Sequence, residues 1–211
     1  MTSNINRKLA LIIFIIVMAV LINVITRKTP YEVVEEMRDG VEDYMLISTN
    51  KTDEGEILYT SGVINKDKDN IYYVDMVKKT LTGYKWTGGG GHINRDIVES
   101  NKDFIISMQL LNEEQDITPT ALGIISDERV IGIRINVKDE LSNKATIYNG
   151  RDANEKFYVV HFESDIADVP YLMVRIMYTG GREAVFLPSD EEMERLREGK
   201  QLYINEENIE K

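Results

Sequence analysis

The side chains able to do chemistry are few and scattered. His92 and His161 are the only histidines among 211 residues, and cysteine is absent. A chain without cysteine forms no disulfide, thiolate zinc site or iron–sulfur cluster and offers no Cys nucleophile. A serine hydrolase of the elbow type needs G-x-S-x-G, which does not occur here. His92 follows four glycines and is expected in a mobile loop, poorly placed for preorganised chemistry. His161 ends an apolar run and is expected as a partly buried, hydrogen-bonded strand residue. Nothing in their spacing supports metal coordination. Asp67-Lys68-Asp69-Asn70 starts like a calcium loop. It lacks the glycine and the bidentate glutamate such a loop needs, so it reads as a hairpin tip. The 36 acidic residues leave room for a carboxylate pair suited to glycoside hydrolysis. Such pairs come from distant strands, so spacing cannot reveal one.

The most unusual stretch runs Lys78-Lys79-Thr80-Leu81-Thr82-Gly83-Tyr84-Lys85-Trp86-Thr87-Gly88-Gly89-Gly90-Gly91-His92. It holds three lysines, the only tryptophan and a run of four glycines. Lys78, Lys79, Tyr84, Lys85, Trp86 and His92 are the candidate binding residues. Aromatic rings beside lysines suit lipid headgroups, an anionic polymer or a sugar. Glycines also let backbone N–H groups approach a phosphate. The Lys-Ser/Thr end and following helix of a P-loop are missing. The purely structural alternative is a strand with a bulge at Gly83 and a flexible loop after it. No catalytic residue, metal site or cofactor is expected.

These residues must be positioned by a chain with two unlike parts. Leu9 to Ile25 contains no charge and one amide, Asn23, between the basic pairs Arg7-Lys8 and Arg27-Lys28. Seventeen helical residues reach about 25 Å, slightly short of a ~30 Å hydrocarbon core. Thr26 and snorkelling basic side chains supply the remainder. No A-x-A-like site follows the run, so it reads as an uncleaved signal anchor and not a cleaved signal peptide. Residues 1–8 are then expected in the cytoplasm, 9–26 in the bilayer and the remainder outside, because the short N-terminal side carries Arg7 and Lys8 without any acid. Four of the 25 basic residues lie in residues 1–28 and none of the 36 acidic ones, so the rest carries a net charge of −15. An acidic domain of this kind argues against nucleic-acid binding.

Past the anchor, Thr29-Pro30-Tyr31-Glu32 has the pattern of a capping box with proline at the first helical position. A juxtamembrane helix is expected within residues 27–40. The hydrophobic period then changes to two. Strands are expected at Tyr44–Ile47, broken at Ser48–Gly55, then at Ile57–Tyr59, Val63–Ile64, Ile71–Val77, Phe104–Met108, Ala145–Tyr148 and Phe157–Phe162. Ile131, Ile133, Ile135 and Val137 alternate with polar neighbours, and Leu122–Ile125 is expected to pair with them through the turn Ser126–Arg129. Leu172–Tyr178 and Arg182–Phe186 should form a hairpin across Gly180-Gly181. Ser189 caps a last helix, and residues 189–211 read as that helix plus a fraying acidic tail. Residues 41–188 are therefore expected as a mainly β, antiparallel, sandwich-like domain with short flanking helices. Two tandem sheets divided near Asn112–Pro119 are the alternative.

The run from Val77 to Trp86 with the glycines after it resembles a motif of small, uncharacterised, membrane-anchored proteins of Gram-positive, often spore-forming, bacteria. Leu122–Asp127 and the Ile131–Val137 strand are similar as well, so the likeness spans roughly residues 40–185. It implies a bacterial, extracytoplasmic protein; no activity is assigned to these proteins, so no functional residue carries over. The resulting expectation is a single-pass, non-enzymatic binding, sensing or assembly module of the cell envelope. Its partners would be the bilayer, through residues 9–26, and an anionic envelope polymer or another envelope protein. A membrane-tethered hydrolase using scattered carboxylates is the alternative.

Overall fold

The computed structural model describes residues 11–18, 27–64, 69–93, 104–111, 117–137, 142–151, 155–163 and 171–209. Residues 11–18 are helical, and all eight apolar side chains are exposed, from 40% at Met18 to 61% at Phe14. Among the described residues no helix is long and apolar enough to cross a membrane. More than half of the expected span over residues 9–26, and all of residues 1–8, lie outside the described residues.

Helix α1 (Pro30–Met37) begins as its sequence dictates. Thr29 Oγ1 accepts from the Glu32 N–H, and the Glu32 carboxylate accepts from the Thr29 N–H. Four strands follow as a meander: β1 (Glu42–Lys51), β2 (Gly55–Ile64), β3 (Asp69–Thr80) and β4 (Gly83–Ile93). A second sheet has the order β13 (Leu202–Asn205), β5 (Phe104–Leu111), β6 (Thr120–Ile125), β10 (Lys156–His161) and β9 (Thr146–Asn149). The third has the order β12 (Glu183–Phe186), β11 (Leu172–Tyr178), β7 (Val130–Val137) and β8 (Asn143–Lys144). Every pairing is antiparallel.

The mainly β, antiparallel expectation holds, but with three sheets where a two-sheet sandwich was the first expectation. The second sheet is the middle layer. In β10, Phe157 and Val159 pack with Tyr72 and Val74 of the first sheet. The alternate residues, Tyr158 and Val160, pack with Ile133 and Val174 of the third. A strand buried on both faces loses its alternation, which is why β6 is buried at all six positions. It also explains a pairing error. Leu122–Ile125 does not pair with β7; β6 pairs with β5 and β10, and the turn at Ser126–Arg129 carries the chain into another sheet.

Other boundaries move for local reasons. β1 does not break at Ser48 but continues to Lys51 opposite Glu56, because a bulge after Leu46 restores its register. A bulge opposite Met177/Tyr178 turns Ile131 outward to 59% exposure and puts Val130 inside. The hairpin across Gly180-Gly181 forms, with Val174 opposite Phe186. Helix α2 (Asp190–Arg197) has the Ser189 capping box and buries Met193 and Leu196. The tail does not fray at once: Leu202 and Ile204 are buried where β13 pairs with β5.

Candidate functional site

The tetraglycine segment is strand, not loop. Gly88–Gly91 pair with Tyr73–Met76 in β4. A Cβ at Gly89 would sit 2.3 Å from Asp75 Oδ1, at Gly90 2.4 Å from Leu111 Cδ2, and at Gly91 2.6 Å from the Tyr73 ring. Close approach on both sides of the sheet, not flexibility, accounts for Gly89, Gly90 and Gly91.

His92 follows in the same strand, fully buried between the first and middle sheets. Its Nε2 lies 2.8 Å from Ser107 Oγ, and its Nδ1 lies 3.3 Å from Gln109 Oε1. Gln109 Oε1 can only accept, so Nδ1 carries the ring proton and the Ser107 hydroxyl, which also accepts from the Ile124 N–H at 3.1 Å, donates to Nε2. His92 is thus a neutral Nδ1–H tautomer, and burial pushes its pKa down to about 4. This Ser–His pair has the atoms of a nucleophile and base, but Ser107 and His92 are both 0% exposed. No substrate reaches them, and the pair is a bridge between layers. His161 matches its expectation. Thr120 donates to the Thr118 carbonyl, so its oxygen accepts from His161 Nδ1–H at 2.9 Å, and Nε2 accepts from Tyr59 at 2.6 Å. Burial lowers its pKa also.

On the other face of the first sheet, Asp75 is buried beneath α1. Arg38 spans both its oxygens, at 2.5 and 3.3 Å, and Trp86 Nε1 donates to Oδ1 at 2.9 Å. The Arg38 guanidinium also stacks on Tyr73, 4.2 Å from the ring centroid. Burial raises the Asp75 pKa against these partners. This cluster decides the role of two expected binding residues. Trp86 and Tyr84 pack with Val34, Leu58 and Val77 under the helix. Trp86 spends its N–H on Asp75, and Tyr84 donates to Glu56 at 3.3 Å.

The lysines separate by strand alternation. Lys78 stands opposite Lys85, and Lys79 opposite Tyr84, so the two pairs occupy opposite faces. Lys78 and Lys85 line an open groove of about 760 Å³ at the end of the first sheet. Glu54, Trp86, Thr87 and Thr118 form other parts of its wall, over Met76 and Ile117. Thr87 is the extra residue of a bulge between Met76 and Val77, held by its hydroxyl on the Met76 carbonyl at 3.1 Å. That bulge brings Thr87 to the groove beside the lysines. Lys78 pairs with Glu54 at 2.8 Å and holds that carboxyl below its ordinary range. Among the described residues Lys85 forms no ion pair. No group of three or more metal-ligating side chains occurs among the described residues.

Of the six expected residues, then, Lys78, Lys85 and Trp86 come together at the groove, while Lys79, Tyr84 and His92 do not. Sequence reasoning missed Thr118, Ile117 and Glu54, which meet the lysines only through folding. No protein-family model, curated protein or solved structure matches this chain.

Proposed function

We propose that this is a non-catalytic, membrane-anchored binding module of the bacterial envelope, its acidic β domain outside the cell and its groove taking an anionic polymer. The single observation that carries the reading is the groove itself, with two lysines side by side on the end of an otherwise acidic molecule. The Lys78–Glu54 pair orients one lysine, Lys85 stays available, the Thr118 hydroxyl can donate beside them, and the Thr87 oxygen, its proton held by the Met76 carbonyl, can accept. One carboxylate, Glu54, lines this groove, and it is tied to Lys78. Glycoside hydrolysis asks for two carboxylates flanking one bond, so the lining favours binding over turnover. The all-round apolar exposure of residues 11–18 supports the anchor, because a helix without a polar face has no reason to lie against water.

Trp86 is the only tryptophan and stands in the groove wall, so its emission reports occupancy. The full chain in non-ionic detergent is titrated with poly(glycerol phosphate), with neutral dextran as the control. Saturable change with the polyanion alone, lost in the Lys78→Glu/Lys85→Glu double variant and weakened by salt, is the expected result. Equal responses of wild type and double variant would overturn the binding reading. Protease shaving of intact cells tests the side of the membrane: protection of the β domain would place it inside.

A further inference from the structure

We propose that the tip of the β3–β4 hairpin, with Leu81 at its apex, inserts into the interfacial layer of the bilayer that holds residues 9–26. The inference rests on reading those residues as a membrane anchor, and goes beyond it by giving the β domain a second, noncovalent foothold.

Leu81 is 92% exposed, the most exposed large hydrophobic side chain of the described residues. Turn chemistry does not explain it. Thr80 pairs with Gly83, so the loop is Leu81-Thr82, and two-residue loops favour Gly, Asn or Asp. What the tip touches is the end of the apolar run. Arg27 Nη2 donates to the Leu81 carbonyl at 2.6 Å, and its Cγ lies 3.7 Å from where a Gly83 Cβ would stand. Arg27 closes the stretch that ends at Ile25, and only Lys28 and Thr29 separate it from α1. The domain therefore has no spacer, and its hairpin tip lies one guanidinium away from the point where the chain would leave the bilayer.

The charges around the tip suit that place. Residues 78–92 contain three lysines and no acid. Lys79 and Lys85 are exposed and form no ion pair among the described residues. An apolar apex with Lys79 at its shoulder, on the face away from the groove, has the profile of an interfacial contact: the leucine reaches the acyl boundary while the ammonium group stays among the phosphates.

The chain has no native cysteine, so Leu81→Cys carries one environment-sensitive fluorophore in the full protein. Thr82→Cys repeats the measurement one residue along. Leu187→Cys, at a 51% exposed position after β12 of the third sheet, is the control. Each labelled protein is reconstituted into phosphatidylcholine–phosphatidylglycerol vesicles, with and without spin-labelled headgroup lipids, and extracted at alkaline pH. The expected result is a blue shift at positions 81 and 82 and loss of their emission on adding the quencher lipid, with neither at 187. Emission at 81 and 82 as aqueous as at 187, from protein that resists extraction, would overturn the tip contact and leave the anchor standing. Protein released by alkaline extraction would overturn the anchor, and the tip contact with it.

Discussion

Protonating His92 would place a cation between two sheets with only a serine oxygen and an amide oxygen as partners. Burial therefore holds the folded-state pKa at about 4, against an ordinary 6.5. The unfolded chain takes up its proton near the ordinary value. Between those two pH values the unfolded state binds more protons than the folded one, so stability falls as pH falls through the window. At about 1.4 kcal/mol per pH unit the full loss is roughly 3 kcal/mol, and about 2 kcal/mol of it is reached by pH 5. That is a large part of the 5–15 kcal/mol that typically separates a folded domain from its unfolded chain.

The assay is urea unfolding of the full chain in non-ionic detergent from pH 8 to pH 4.5, followed by Trp86 emission. Carboxylates add their own pH dependence, so the quantity to read is wild type minus His92→Gln. The amide can keep one hydrogen bond to Ser107 and does not titrate. Subtraction should leave a curve flat above pH 7.5 and falling by about 2 kcal/mol by pH 5. Imidazole resonances of His92 in the folded protein should stay those of the neutral ring from pH 8 down to about pH 5.5, and begin to shift only below it. A ring that titrates near 6.5 in the folded protein, or a variant with the same pH slope as wild type, would refute the burial argument.

Two further perturbations test the packing that positions the groove. Arg38→Met strands the Asp75 carboxylate under α1 and should cost about 3 kcal/mol at neutral pH. Asp75 already has a raised pKa, so its ionisation disfavours the fold as pH rises past the ordinary carboxyl value, and the deficit relative to wild type should shrink on acidification in pH-dependent melts. Gly123→Ala would put a Cβ 1.9 Å from the Ser107 carbonyl oxygen, a backbone atom that also accepts from Tyr158 at 2.7 Å. It should lower stability by about 3 kcal/mol, at or beyond the upper end of ordinary overpacking, read as a drop in the denaturant midpoint.

Local rules made part of this fold legible. Both capping boxes and the hairpin across Gly180-Gly181 follow from residues a few positions apart, and all three form. What the sequence hid is where strands are buried twice. β6 and β10 sit in a middle layer, so their apolar runs carry no period that says which neighbour each face meets. Bulges hid more: one residue of slip at Ile131 exchanges inside for outside, although the alternation around it looks regular. The tetraglycine run was misread because glycine signals turns far more often than close strand packing, and its partners Asp75 and Leu111 are remote in sequence. For the groove, Gly83 was read as a bulge within one strand, whereas the chain turns at Leu81-Thr82 and bulges at Thr87, so the pairing of Lys78 with Lys85 across the hairpin was hidden. The segment at residues 117–119 that completes the wall has no sequence signal linking it to the lysines.

A net charge of −15 beyond residue 28 and the proposed anion-binding groove are compatible for a reason rooted in distance. Stacked sheets lie about 10 Å apart, while charges in physiological salt are screened over about 8 Å. Acids on the third sheet, two layers away, therefore contribute little potential at the lysines of the first. The local inventory decides, and from Lys78 to His92 it is purely basic. Of the basic residues at that end, Lys28 and Lys78 are neutralised by Glu36 and Glu54. Lys79 and Lys85, on opposite faces of one hairpin, are left to act outward. One faces the groove and the other the side of α1, so on the two proposals a single hairpin would meet a polymer on one face and phosphates beside the proposed anchor on the other. On the proposed membrane placement the acidic remainder would have a directional effect: repelled by an anionic surface, it would turn away from the bilayer while the basic end is drawn toward it.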